Sequence, residues 1–329
     1  MHGLQPGNGG QPILDPRGTV ADHLVHFCDH GALIAQTSCQ TLQNSTAKAP
    51  VRSQNGTILP LSGDTMTNDA ELALPKLALI VSDSAKAQAG ARVLHDSHDW
   101  VAPQEADVLV VLGGDGFLLH VLHELLDRDA IKPVYGMNLG TVGFLMNGPL
   151  DDDAIARRVA EAHRVPVRPL CMNATTQDGQ EFSYHAINEV SLLRETRQTA
   201  KLEIRINGRV RLEELAGDGI LLATPVGSTA YNLSAHGPIL PLGSRMVAMT
   251  PLNPFRPRRW KGAILPESAE VELRILEPGK RPVAAVADQK EVRDVATVRI
   301  NATAEKELTL LFDPGFTLEE RIFAEQFQV

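Results

Sequence analysis

The chain has 329 residues, enough for two domains with separate cores, and its 43% hydrophobic and 22% charged residues are ordinary for a globular protein. Aromatic residues at 4% argue against broad base-stacking surfaces, and a net charge of −9 argues against a nucleic-acid partner, which calls for a basic footprint. No apolar run reaches transmembrane length, and the first ten residues lack the charged start and apolar stretch of a signal peptide. Three scattered cysteines, Cys28, Cys39 and Cys171, form no disulfide framework and fit a reducing compartment. A cytoplasmic protein without membrane contact is therefore expected. The Asn-x-Ser/Thr sites at Asn44, Asn55, Asn173, Asn232 and Asn301 are then chance matches.

Residues 1–74 are rich in Gly, Pro, Gln, Ser, Thr and Asn with weak periodicity, and are expected to be a disordered extension. Met66 is a plausible alternative start within it. His23, His26, Cys28, His30 and Cys39 are zinc-type ligands, but their spacing matches no finger, so they are read as accidental and no metal site is assigned. From Pro75 the texture becomes globular, and residues 75–163 are expected to form an α/β domain. Residues 77–81 and 107–112 read as strands buried on both faces, with a third over 134–138. Helices are expected over 84–95, 117–126 and 151–162, the last opening on three aspartates that suit a helix N-terminus. This alternation implies a parallel sheet.

Over 164–305 the pattern changes to that of a β-rich, antiparallel, sandwich-like domain. Asp178-Gly179 and Asn207-Gly208 each sit between alternating residues and mark hairpins. Residues 270–275, 283–287 and 297–300 look like further strands. The segment 306–329 should end in a helix, from the capping-box pattern that starts at Thr317, and that helix could pack back on the α/β domain.

Two motifs carry chemistry. Gly113-Gly114-Asp115-Gly116 sits between a buried strand and a helix start, where ligands of open α/β folds bind. Glycines let backbone N–H groups approach phosphate oxygens, and the helix N-terminus adds positive charge. Asp115 can orient a hydroxyl, accept its proton, or bind Mg²⁺ through water, which suits phosphoryl transfer. The plainer alternative is that Asp115 is a helix N-cap. The loop is neither a Walker A loop nor a Rossmann fingerprint, since the residues that define them are missing. The second motif runs from Gly217-Asp218-Gly219 through the strand 220–224 into Pro225 to Asn232 and Ser234 to Leu240. Its small hydroxyl residues Thr224, Ser228, Thr229 and Ser234 suit either hydrogen bonding to a ligand or a polar turn that starts a helix.

In order, Gly113 to Gly116, Asn138 to Phe144, Asn188-Glu189 and Gly217 to Tyr231 closely resemble the NAD kinase family, over about Leu77 to the C-terminus. The resemblance implies phosphorylation of the adenosine-ribose 2′-hydroxyl of NAD to give NADP, with ATP or polyphosphate as donor and a divalent metal such as Mg²⁺. It also implies an α/β domain and a β-rich domain with the site between them, and a homo-oligomer, dimer or tetramer. Carried over by residue, Asp115 is the base and Gly113, Gly114 and Gly116 face phosphates. Phe144 lies beside the adenine, unless it is a core phenylalanine. Asn188 and Glu189 bind ribose hydroxyls or the adenine side, and Asp218 approaches the nicotinamide end. Thr229, Ala230, Tyr231 and Ser234 surround the dinucleotide.

Asp288-Gln289 lies where the family often places another ligand-contacting residue, but the local pattern is blurred. Ala216 stands where some members have arginine, which leaves NAD against NADH open. Arg256, Arg258 and Arg259 could clamp donor phosphates or simply be a solvated loop. A lipid kinase of the diacylglycerol or sphingosine type, and a dinucleotide-binding regulator without turnover, are the rival readings.

Overall fold

The computed structural model describes residues 74–139, 143–148, 155–303 and 305–315. The expected N-terminal extension with its His/Cys cluster, the three aspartates of 151–153 and the helix expected after Thr317 lie outside the described residues.

The first sheet is built as the apolar runs dictate. β1 (Leu77–Val81), β2 (Val108–Leu112) and β3 (Val134–Met137) pair in parallel, and every residue of β2 and β3 is buried. α1 (Ala85–His95) starts where Ser84 Oγ accepts the Ala87 N–H at 3.2 Å, an N-cap. α2 (Asp115–Asp127) buries Leu118, Val121, Leu122 and Leu126, one stripe at helical spacing. α3 (Ile155–Glu161) follows.

Two strands in this sheet were not expected. β4 (His163–Val167) and β17 (Leu308–Phe312) extend it in the order β1-β2-β3-β17-β4, with β17 parallel to β3 and antiparallel to β4. The chain thus leaves for the second domain and returns to finish the first sheet.

The remaining strands form two antiparallel sheets. One has the order β6 (Glu181–Ala186), β5 (Leu170–Thr176), β16 (Val295–Ala302), β13 (Val271–Ile275), β8 (Ala200–Ile206) and β9 (Arg209–Gly217). The other has β12 (Ala263–Pro266), β11 (Met246–Leu252), β10 (Gly219–Ala223), β7 (Glu189–Arg194), β14 (Val283–Ala287) and β15 (Lys290–Val292). Alternate residues of both meet in one core, including Met172, Leu202, Ile204 and Leu273 from the first and Leu192, Ile220, Met249 and Ala285 from the second. The Asn207-Gly208 turn has both residues left-handed, at φ 50° and 73°, and joins the paired Ile206 and Arg209 as its sequence predicts. The architecture is the expected one: an α/β domain with a parallel sheet, and a β-rich domain.

Candidate active site

Asp115 is the first residue of α2, and its cap is Gly114 rather than its own side chain. The carboxylate instead reaches across to the segment after β3. Its Oδ2 accepts the Phe144 N–H at 2.7 Å and its Oδ1 accepts the Leu145 N–H at 3.0 Å. The N-cap alternative for Asp115 is therefore overturned. Each oxygen keeps acceptor capacity beyond its single amide.

The surrounding glycines have different jobs. A Cβ on Gly143 would lie 2.4 Å from Asp115 Oδ1, so a bare residue there lets the carboxylate in. Among the described residues, a Cβ on Gly114 or Gly116 would meet nothing within 4 Å. None of these residues demands glycine at those two positions beside Asp115. Behind Phe144 and Leu145, buried Asn147 donates its side-chain N–H to Gly136 O and to Leu311 O, each at 2.9 Å, and accepts the Asp313 N–H at 3.0 Å. Asn147 thus ties the Asp115-binding segment to β3 and β17. Sequence reading missed it, since a lone asparagine carries no signal.

The Asn188–Glu189 turn is held from two sides. Thr224 donates its N–H to Asn188 O at 2.9 Å and its hydroxyl to Ile187 O at 2.7 Å. From the other side Asp288 accepts the N–H groups of Ile187 at 2.6 Å and of Asn188 and Glu189 at 3.0 Å each. Asp288 also lies 2.7 Å from His123 Nε2 on α2. The blurred Asp288-Gln289 position is therefore a structural hub. Its side chain is 7% exposed.

The second motif divides on inspection. Thr224 and Ser228 are buried; Thr224 Oγ1 accepts the Gly227 N–H while donating to Ile187 O, and Ser228 Oγ donates to Pro225 O and accepts the Leu240 N–H. Asn232 is also buried, donating to Ser228 O and Pro238 O and accepting from Thr250. These residues shape the 3-10 turn Gly227–Thr229 and the short helix α4 (Tyr231–Ser234). Ala230 closes the turn by donating its N–H to Gly227 O. Thr229 and Ala230 are partly buried, while Ser234 and Tyr231 are exposed, Tyr231 by 39%.

Electrostatics connects the segments. Burial first, and the negative field of Asp288 second, push the Glu189 carboxyl from its ordinary value of 4.5 up to about 7. Its Oε2 is buried without a hydrogen-bond partner among the described residues. Burial, then the fields of Glu189 and Asp218, raise the Tyr231 hydroxyl above its ordinary value, so Tyr231 lies near both carboxylates. Asp218 accepts from Arg194 Nε at 2.6 Å and from Asn253 Nδ2 at 2.9 Å. The Asn253 bond foremost, with help from Arg194 and against burial, holds it below the ordinary carboxylate range.

Asp218 precedes β10 and Thr224 follows it, while β7 pairs antiparallel with Glu189 opposite Ala223. Asp218 and Glu189 therefore mark opposite ends of one strand, roughly 15 Å apart. Asp115 and the turn meet through apolar packing. Leu118 and Leu122 of α2 share one cluster with Leu145, Ile187 and Val226, and partly buried Phe144 packs against it. The two motifs thus flank one interdomain junction.

The Glu189 shift has a testable sign. Between pH 4.5 and 7 the folded protein keeps a proton on Glu189 that the unfolded chain has released, so stability falls as pH rises through that window. At about 1.4 kcal/mol per unit the loss is about 3 to 4 kcal/mol at most. Glu189→Gln should remove this slope and melt higher than wild type above pH 7. Parallel melting curves of the two proteins at every pH would contradict the assignment.

The NAD kinase family models match both halves of the chain, the ATP-NAD kinase N-terminal domain over residues 29–163 and the C-terminal domain over 187–310. Over 254 residues the chain is 54% identical to an NAD kinase of Rhizorhabdus wittichii, covering 77% of this chain and 98% of that protein. An NAD kinase of Zymomonas mobilis is 53% identical with the same coverage. The chain belongs to the NAD kinase family.

It is accordingly a phosphotransferase that acts on a hydroxyl, and neither the lipid-kinase nor the regulator alternative finds support. An Archaeoglobus fulgidus NAD kinase solved in complex with ATP has a TM-score of 0.60 at 22% identity, covering 76% of this chain and 98% of that one. Yeast NADH kinase in complex with NADH has a TM-score of 0.57 at 24% identity, covering 72% and 75%. At those identities the likeness shows a shared fold. The N-terminal family match begins at residue 29, well upstream of Leu77, where the sequence resemblance begins.

Proposed function

We propose that this NAD kinase family member transfers the terminal phosphoryl group of ATP, or of polyphosphate, to the 2′-hydroxyl of the adenosine ribose of NAD, with Asp115 as base. The observation that carries the reading is the setting of Asp115: two amides aim its carboxylate from the first turn of α2, beside glycines that carry no side chain. As the 2′-oxygen attacks the terminal phosphorus, its proton passes to Asp115 and the bond from that phosphorus to the bridging oxygen breaks, giving NADP and releasing ADP or a polyphosphate one unit shorter. Positioning and charge neutralisation dominate such a transfer.

The remaining assignments are part of the same proposal. Gly113, Gly114 and Gly116 border the phosphates and Phe144 the adenine. Asn188 and Glu189 receive the ribose, where a hydroxyl would satisfy the orphan Glu189 Oε2. Thr229, Ala230, Tyr231 and Ser234 line the path to Asp218, at the nicotinamide end. The strand-long separation of Glu189 and Asp218 suits a ligand built of two nucleotides. The archaeal relative's complex with ATP and the yeast relative's complex with NADH support a triphosphate donor and a dinucleotide acceptor.

Among the described residues no group of three His, Cys, Asp or Glu could hold a metal. The donor set fits Mg²⁺ carried mainly by donor phosphates, with Asp115 reaching it through water, and the ion would neutralise phosphate charge. We propose further that the protein works in the cytoplasm as a dimer or tetramer. Among the described residues no helix is long and apolar enough to cross a membrane.

Incubation with NAD, ATP and Mg²⁺ should yield NADP, read out by an NADP-specific dehydrogenase. Tight NAD binding without product would overturn the reading. Asp218→Ala should raise the KM for NAD about tenfold, the scale of a lost hydrogen bond to a charged group, and change kcat little. An unchanged KM would remove Asp218 from the ligand.

A further inference from the structure

Helix α2 makes two contacts with the β14–β15 hairpin of the other domain. His123 and Asp127 lie four residues apart on one face of the helix. Asp127 pairs with Lys290 at 2.7 Å, but both side chains are substantially exposed, and pairs of that kind contribute little in water. His123 Nε2 meets Asp288 Oδ2 at 2.7 Å, with the two side chains 14% and 7% exposed. That second contact is shielded from water.

Asp288 stands at φ 50°, a left-handed conformation that aspartate tolerates, and it holds the ligand turn with both side chain and backbone. Its carboxylate takes three successive amides, Ile187 to Glu189, and its own N–H donates to Glu189 O at 3.1 Å. One buried carboxylate therefore joins the helix that begins with Asp115 to the turn that carries Asn188 and Glu189. We infer that His123 is a positioning residue, which through Asp288 registers the Asn188–Glu189 turn against Asp115.

The inference deepens the proposed function and rests on it. In that reaction the acceptor sugar sits on the turn, in one domain, while the base sits on α2, in the other. Without His123 the turn keeps its three amide bonds to Asp288 and its contacts with Thr224, so the dinucleotide still finds its site. What weakens is the registration between turn and base. Misplacement of about an ångström lowers the rate of an aligned transfer steeply while leaving binding intact.

Three single variants test this beside the wild type. His123→Leu should lower kcat about tenfold or more with the NAD Kd within about twofold and full binding stoichiometry. His123→Gln, whose amide nitrogen can take the place of Nε2, should restore most of the rate. Asp127→Asn, which removes the exposed pair, should stay within about twofold of wild type. The inference is overturned if His123→Leu turns over normally, if its loss of rate tracks a loss of melting temperature and of binding stoichiometry, if the glutamine variant does no better, or if Asp127→Asn falls equally far. A wild-type protein that binds NAD yet makes no NADP overturns the proposed function and this inference with it; normal wild-type turnover with an unaffected leucine variant overturns this inference alone.

Discussion

Replacing Asp115 with asparagine lowers kcat about 10²- to 10⁴-fold, the usual scale for loss of a general base. The geometry adds a second contribution. Both carboxylate oxygens accept a backbone N–H, from Phe144 and from Leu145. Asparagine has one oxygen, so its NH₂ must face one of those donors, and the segment shifts or leaves an amide unsatisfied. Part of the measured loss will therefore come from displacement. Asp115→Glu separates the two effects, because it keeps two acceptors and a base but adds a methylene. The expected order is wild type, then Glu, then Asn, with the NAD Kd changing far less than kcat. An asparagine variant within threefold of wild-type turnover would remove Asp115 from the base role.

Gly227→Ala is expected to damage both stability and dinucleotide binding. A Cβ there would lie 2.1 Å from Asn188 O, 2.4 Å from its carbonyl carbon and 2.6 Å from its Cα, all backbone atoms. No side chain can swing aside to relieve the contact. The Asn188 backbone cannot retreat either, because Asp288 grips its N–H and Thr224 its carbonyl. Overpacking of this kind costs about 1–3 kcal/mol or more. The melting temperature should fall, and the KM for NAD should rise several-fold as the turn is displaced. Gly116→Ala is the matched control for folding, since its added carbon meets nothing within 4 Å among the described residues. Equal melting temperatures for the Gly227 variant and wild type would show that the turn can yield, against this account.

The legible parts of the fold are those whose cause is local. β2 is an unbroken apolar run that must be buried on both faces, and the Asn207-Gly208 turn has the residues that tolerate φ above zero. β4, β7, β11, β12, β15 and β17 went unread. Three of these six carry a proline, which argues against a strand when only sequence is in view. In the fold each proline sits where the ladder is open on one side. Pro166 is on β4 at the end of its sheet, and Pro266 is on β12 at the end of another. Pro251 faces Ile220 of β10, beyond Met249, where the β12 pairing stops.

At the site the motifs drew attention to the right segments, but not to the division of labour inside them. Thr224, Ser228 and Asn232 carry the same hydroxyl and amide chemistry as ligand-binding residues, and burial alone shows that they serve the turn itself. His123 and Asp288 could not be placed, because they are partners 165 residues apart, nor could Asn147, whose partners lie up to 166 residues away in sequence.

The position of β17 bears on how this protein is made. The sheet that begins at Leu77 stays incomplete until residues 308–312 slide in between β3 and β4. On a ribosome adding roughly 5–20 residues per second, the early strands wait on the order of ten seconds or more with an apolar edge uncovered. A fragment cut anywhere between Gly116 and Leu308 would keep its glycine loop and Asp115 yet lack the strand that closes their platform.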